Sequence, residues 1–132
     1  MSLMRDRGII LKNCESGESD ISSIVFCEQT GKTVLRFKGL RKTRRRSLSG
    51  IDPSSLISFE FRPRPAKDSV IVCHYETLFY PDKLRSDLEI FYLTSFFLEA
   101  VNLTTADHDP NQELFELLRG AVGLLHHEEP DL

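Results

Sequence analysis

Five strand-like stretches fall before residue 80 and two helix-like stretches after it, and that order leaves few folds open. Gly8-Ile9-Ile10-Leu11-Lys12 is short and β-favouring, and the turn-rich Asn13-Cys14-Glu15-Ser16-Gly17-Glu18 closes it. Asp20 to Glu28, the turn Gln29-Thr30-Gly31-Lys32 and Thr33 to Lys38 read as a β-hairpin, with Gly31 where positive φ is easy. Side chains alternate along a strand, so Leu35 and Phe37 point one way and Val34, Arg36 and Lys38 the other. After a long polar excursion, Leu56 to Arg62 alternates again, with Ile57, Phe59 and Phe61 inward and Ser58 and Glu60 outward. Pro63-Arg64-Pro65 ends that strand, because proline removes a ladder donor. Val70 to Tyr80 is long enough to bend and close a small sheet on itself. Five strands with an excursion after the third fit an OB-type barrel, and an open sheet fits the same pattern.

The rest is helical. Ser86-Asp87-Leu88-Glu89 fits a capping box, with Ser86 as the cap and Glu89 reaching back. The helix that follows is apolar beyond one face and is expected to bury Ile90, Leu93, Phe97 and Val101. A second helix has Asp109 as its cap and Pro110 at the first helical position, then Leu114, Phe115, Leu117, Leu118, Val122 and Leu125. Two helices cannot cover this much apolar surface alone: either they pack on the barrel or further helices of a longer chain are missing. The fold class is α+β, a five-stranded OB-type β-barrel over residues 1–80 followed by a two-helix domain over 81–132.

Charge divides at the same place. Residues 1–80 carry fourteen Lys plus Arg against nine Asp plus Glu, a net of +5, whereas residues 81–132 carry three against eleven, a net of −8. The overall −3 hides this polarity, which points to a polyanion partner at the basic end. The basic residues concentrate in the excursion: Lys38, Arg41, Lys42, Arg44, Arg45 and Arg46. Clustered guanidinium groups suit phosphates. An OB-type barrel presents a shallow face to single-stranded nucleic acid, on which Arg36, Lys38, Arg41, Lys42, Arg44, Arg45 and Arg46 would contact phosphates, flanked by Lys12 and Lys32. Phe37, Phe59 and Phe61 belong to the core by alternation, leaving Phe26 and Tyr75 as candidate stacking platforms. Gly39 would let the backbone turn out of the strand.

Catalysis has little to stand on. His74, His108, His126 and His127 sit in no metal or relay spacing, and Ser47 and Ser49 in no nucleophile elbow. Gly31-Lys32-Thr33 lacks the earlier glycine of a phosphate-binding loop. Cys14, Cys27 and Cys73 are odd in number, lack a CxxC pair and read as buried or partly buried thiols of a reducing compartment. No enzyme activity, cofactor or metal is expected. With no apolar run of membrane-spanning length and no apolar signal core, the expected location is the cytoplasm.

The order of these residues resembles a known family. Gly8-Ile9-Ile10-Leu11, Asp20 with its apolar run to Phe26, Glu28-Gln29-Thr30-Gly31-Lys32, Phe37-Lys38-Gly39-Leu40-Arg41-Lys42 and Leu48 to Pro53 are similar to the N-terminal domain of the bacterial recombination mediator RecO. Tyr92, Leu98-Glu99 and Leu114-Phe115-Glu116-Leu117-Leu118 continue the likeness into the helices. The resemblance implies an OB-fold followed by a helical domain, and a non-enzymatic role in binding and annealing single- and double-stranded DNA. It also implies recombinase loading in concert with RecR and SSB. Two departures stand out: Cys27 replaces a threonine more usual in the family, and the four-cysteine zinc site of many longer members has no counterpart here. A protein-interaction adaptor gripping acidic peptides and an RNA-binding OB module are the rival readings, since phosphate contacts do not read the 2′-hydroxyl.

Overall fold

A computed structural model describes residues 3–16, 20–39, 50–63 and 69–126. Its strands are β1 (Met4–Ser16), β2 (Asp20–Cys27), β3 (Gly31–Phe37), β4 (Leu56–Phe61) and β5 (Ser69–Phe79), followed by helices α1 (Leu88–Thr104) and α2 (Gln112–His126). The strands close into a barrel in the order β1-β2-β3-β5-β4, with β4 returning to β1. β3 and β5 run parallel, and the other pairs are antiparallel. This is the five-stranded OB-type barrel with a helical segment after it that the sequence predicts.

β1 closes the barrel by serving two neighbours. Met4 to Ile9 pair with β4, and Gly8 to Ser16 pair with β2. A bulge between Ile10 and Lys12 bends the strand from one partner toward the other. Asn13, Cys14, Glu15 and Ser16, expected to be loop, are therefore strand, because Ser23, Ser22, Ile21 and Asp20 supply their ladder partners. At the opposite end the buried Asp6 carboxylate accepts from the Gln29 amide at 3.0 Å, the Thr30 amide at 3.1 Å and the Thr30 hydroxyl at 2.9 Å. That carboxylate organises the β2–β3 turn.

Two cores share the strands. Inside the barrel lie Ile10, Val25, Leu35, Phe37, Ile57, Phe59 and Phe61, so the inward alternation predicted for β3 and β4 holds. Outside it, Ile9, Leu11, Phe26 and Leu56 are roofed by Leu98 and Val101 of α1 and by Phe115, Leu118 and Val122 of α2. Unbroken apolar runs such as Ile9-Ile10-Leu11 and Ile24-Val25-Phe26-Cys27 belong to strands covered on both faces.

The helices sit differently from their sequence prediction. α1 buries Thr94, Leu98 and Val101; Phe97 and Ile90 are half-buried and Leu93 is exposed. Thr94 Oγ1 shares a buried hydrogen bond of 3.0 Å with His126 Nε2, fixing α1 to the last turn of α2. The cap of α1 is Asp87, whose Oδ1 accepts from the Ile90 amide at 3.2 Å. Ser86 is taken up by a turn onto the Lys83 carbonyl, which displaces the expected capping box by one residue. Likewise α2 is capped by Asn111, with Oδ1 accepting from the Leu114 amide at 3.0 Å, while Asp109 and Pro110 precede the helix.

Asp109 and Pro110 are seated on Gly31. Its φ is +78°, and a Cβ there would lie 2.5 Å from the Asp109 nitrogen and 2.8 Å from that of Pro110. Both contacts are backbone and cannot swing away. Gly31→Ala should therefore destabilise the fold by roughly 2 kcal/mol or more, from left-handed strain plus this clash. Chemical denaturation measures it, and a loss below about 0.5 kcal/mol would show that the α1–α2 connection yields freely.

The cysteines also depart from expectation. Cys27 alone is buried, and Cys14 and Cys73 are exposed. Cys14 lies in the extension of β1, and the β4–β5 register shift next to Cys73 breaks the alternation there. Burial pushes the Cys27 thiol far up, so it behaves as a small hydrophobe.

Candidate nucleic-acid interface

The outer surface of the barrel is divided by what covers it. α1 and α2 roof the part built from Ile9, Leu11 and Phe26. At the edge of that roof, where Ile24 still packs against the covered cluster, Lys12, Ile24 and Val34 stand in one cross-strand row, and Cys14, Ser22, Arg36 and Ile71 in the next. Lys12 and Arg36 thus share a face, two strand spacings or about 10 Å apart across the ladder.

Arg36 is held by Asp20, with Nε 3.3 Å from Oδ2. The other carboxylate oxygen accepts from the Gly39 amide at 2.8 Å. The Gly39 bond holds the Asp20 carboxyl below its usual range, opposed by partial burial and reinforced by the charges of Arg36 and Lys38. Gly39 has φ +74° and open space where a Cβ would go, so the backbone conformation, not crowding, favours glycine. Lys38 is exposed beside this turn. Asp20, to which the sequence assigned no binding role, thereby ties Arg36 near the end of β3 and the Gly39 turn to the start of β2.

Arg41, Lys42, Arg44, Arg45 and Arg46 lie outside the described residues. Where the chain is described again it is anchored. Asn13 Nδ2 donates to the Ile51 carbonyl at 2.8 Å, and Thr77 Oγ1 to the Gly50 carbonyl at 3.1 Å. The Asp52 carboxylate accepts from the Tyr80 hydroxyl and from Arg85 Nη2 at 3.2 Å. Burial, then the Asp52 hydrogen bond, push the Tyr80 hydroxyl up, which keeps it a donor. A carboxylate thus fixes the described chain on each side of the basic run, Asp20 at Arg36 and Gly39 and Asp52 at Tyr80 and Arg85. No local signal marks the first of these acids, since Asp20 precedes Lys38 by a whole hairpin.

Two expected contributors are placed elsewhere. Lys32 donates to the Asn102 carbonyl at 2.8 Å and the Thr105 carbonyl at 2.9 Å. It caps the carbonyl end of α1, where the last turn has no basic residue of its own, and is not a flanking phosphate contact. Phe26 is fully buried against Phe115, with ring centroids 6.2 Å apart, and offers no stacking surface. Tyr75 is half-buried with its ring edge-on to Phe37 at 5.1 Å. Lys12 is exposed and borders a cleft of about 520 Å³ whose other walls include Arg85, Phe91 and Leu98.

Comparison with known proteins gives this geometry a lineage. Residues 1–78, which hold the barrel strands almost to the end of β5, match the family described as "Recombination protein O N terminal". A DNA repair protein RecO of Alkaliphilus metalliredigens is 29% identical over 98% of this chain and 52% of its own length. One of Anaeromyxobacter dehalogenans is 28% identical over 98% of this chain and 51% of its own. The chain spans about half the length of these curated relatives. Among solved structures, a chain of a replication protein A heterotrimer bound to single-stranded DNA superimposes with a TM-score of 0.43 at 9% identity, over 76% of this chain and 73% of that one. So loose a likeness decides nothing about this chain.

Proposed function

The chain belongs to the recombination protein O N-terminal family, and from that membership we propose that it is a non-enzymatic DNA-binding module of DNA repair and homologous recombination. In this reading it works in the cytoplasm on single- and double-stranded DNA, annealing strands and loading recombinase together with RecR and SSB. Arg36, Lys38, Arg41, Lys42, Arg44, Arg45 and Arg46 contact phosphates, and Gly31 and Gly39 are the turns that set the strand carrying them. The observation that supports the proposal lies at the described residues on either side of the basic segment: Asp20 holds Arg36 and the Gly39 amide before it, and Asp52 holds Tyr80 and Arg85 after it.

The same geometry shapes the kind of binding expected. Phe26 lies under the helices and Tyr75 is edge-on to Phe37. Binding is then dominated by phosphate neutralisation and tolerant of sequence. Arg36 shares its charge with Asp20 and adds the least to that neutralisation, so the six cations from Lys38 to Arg46 carry most of it. At ~0.7 per contact, log K for single strands should fall with log salt at a slope of about −4, a loss of a few hundredfold between ~50 and ~200 mM. A slope near zero in a fluorescence titration would sink the proposal. Equal competition by RNA, or stronger competition by an acidic peptide, would transfer the site to one of the rival readings.

A further inference from the structure

Among the described residues, the ion-paired arginines hold their carboxylates through hydrogen bonds, with one exception. Arg5 donates to Glu60 at 2.6 Å, Arg7 to both oxygens of Glu28 at 2.8 and 3.0 Å, Arg85 to Asp52 at 3.2 Å and Arg119 to Glu116 at 2.6 Å. Arg36 differs. Its buried Nε lies 3.3 Å from Asp20 Oδ2 without hydrogen-bond alignment, and has no hydrogen-bond partner among the described residues. The carboxylate, by contrast, is fixed, because its other oxygen accepts from the Gly39 amide at 2.8 Å. Asp20 also stands one step beyond the Ile21–Phe37 pair of the β2–β3 ladder, which sets it across from Lys38. A fastened negative charge therefore lies between two cations proposed to contact phosphates.

We infer, on the DNA-binding reading given above, that Asp20 is a positioning residue that limits DNA affinity by competing with phosphate for Arg36. A phosphate approaching the Arg36 guanidinium must displace Asp20, and the displaced carboxylate stays beside it because the Gly39 bond holds it there. Like charges brought together in this way oppose association. The Gly39 bond also holds the carboxyl below its usual range, so the competitor is ionised at neutral pH. Releasing Arg36 would instead add a full contact of the counterion-release type. Two roles thus meet in one side chain, a charge that restrains binding and an acceptor that shapes the turn. An amide separates them, since asparagine keeps an oxygen for the Gly39 amide and loses the charge.

Salt titrations of the full chain with a labelled oligothymidylate test the inference. The wild type should show the slope of about −4 expected for six contacts, and Asp20→Asn a slope of about −5, steeper by one contact of ~0.7. Counted from 1 M salt, that contact amounts to about eightfold tighter binding at ~50 mM and about threefold at ~200 mM. Combining Asp20→Asn with Arg36→Gln exchanges the ion pair for a neutral one and should return slope and affinity to those of the wild type, because the gain passes through Arg36. Asp20→Ala should show the same steeper slope with a smaller gain in affinity, since it also gives up the Gly39 acceptor, and it serves if the asparagine variant fails to fold. A wild-type slope near zero removes the DNA-binding reading and the inference together. A wild-type slope of about −4 that neither Asp20 variant steepens, or a gain that survives Arg36→Gln, overturns the inference alone and leaves the reading standing.

Discussion

Replacing Arg44, Arg45 and Arg46 together with glutamate is expected to abolish DNA binding and to leave the thermal midpoint nearly where it was. Three of the six cations between Lys38 and Arg46 change sign, so half of the attractive contacts become repulsive ones. Losing three contacts of the counterion-release type already removes most of the binding. Three carboxylates facing phosphates oppose the remainder. The fold should not register the change, because the described anchors of this segment are Asp20, Asn13, Asp52 and Thr77, none of which is altered. Fluorescence anisotropy on single strands and a thermal melt read the two halves separately. Binding at wild-type strength would remove these arginines from the site, and a large drop in melting temperature would mean that they are folded into the structure.

Phe115→Ala should cost about 3–5 kcal/mol, as for a fully buried aromatic truncated to alanine. That is a large share of the ~5–15 kcal/mol that holds a domain together. Phe115 touches Phe26 of the barrel, stands under the Arg7 guanidinium at 5.5 Å and belongs to one cluster with Leu98 and Val101 of α1. Barrel and helices should therefore unfold in a single transition that moves as a whole. Phe97→Ala, at a half-buried position on the edge of that cluster, should cost clearly less. Hydrogen exchange supplies the second readout: protection of the amides from Ile90 to Val101 should fall in step with that of β1 and β2. Barrel amides that keep their protection while the helices exchange freely would show that residues 81–132 fold apart from the barrel.

Much of this fold was legible because strand alternation is a local property. Leu35 and Phe37 in β3, and Ile57, Phe59 and Phe61 in β4, could only be sorted to one face each, and the barrel interior is that face. The basic segment was equally legible, since charge needs no neighbour to be read. What escaped was everything that depends on a residue far along the chain. Phe26 looked like a surface aromatic until α2 covered it, and Lys32 like a surface cation until the end of α1 came within its reach. Ser86 and Asp87 are both competent caps, and the turn onto Lys83 chose between them. The turn-like residues from Asn13 to Ser16 became strand because β2 offered them a ladder. Sequence by itself determined which residues must leave water and where charge gathers, for these follow from side-chain chemistry and period. Only the tertiary structure decided which apolar face was covered and which polar group found a partner, because burial and hydrogen bonding are contracts between distant segments.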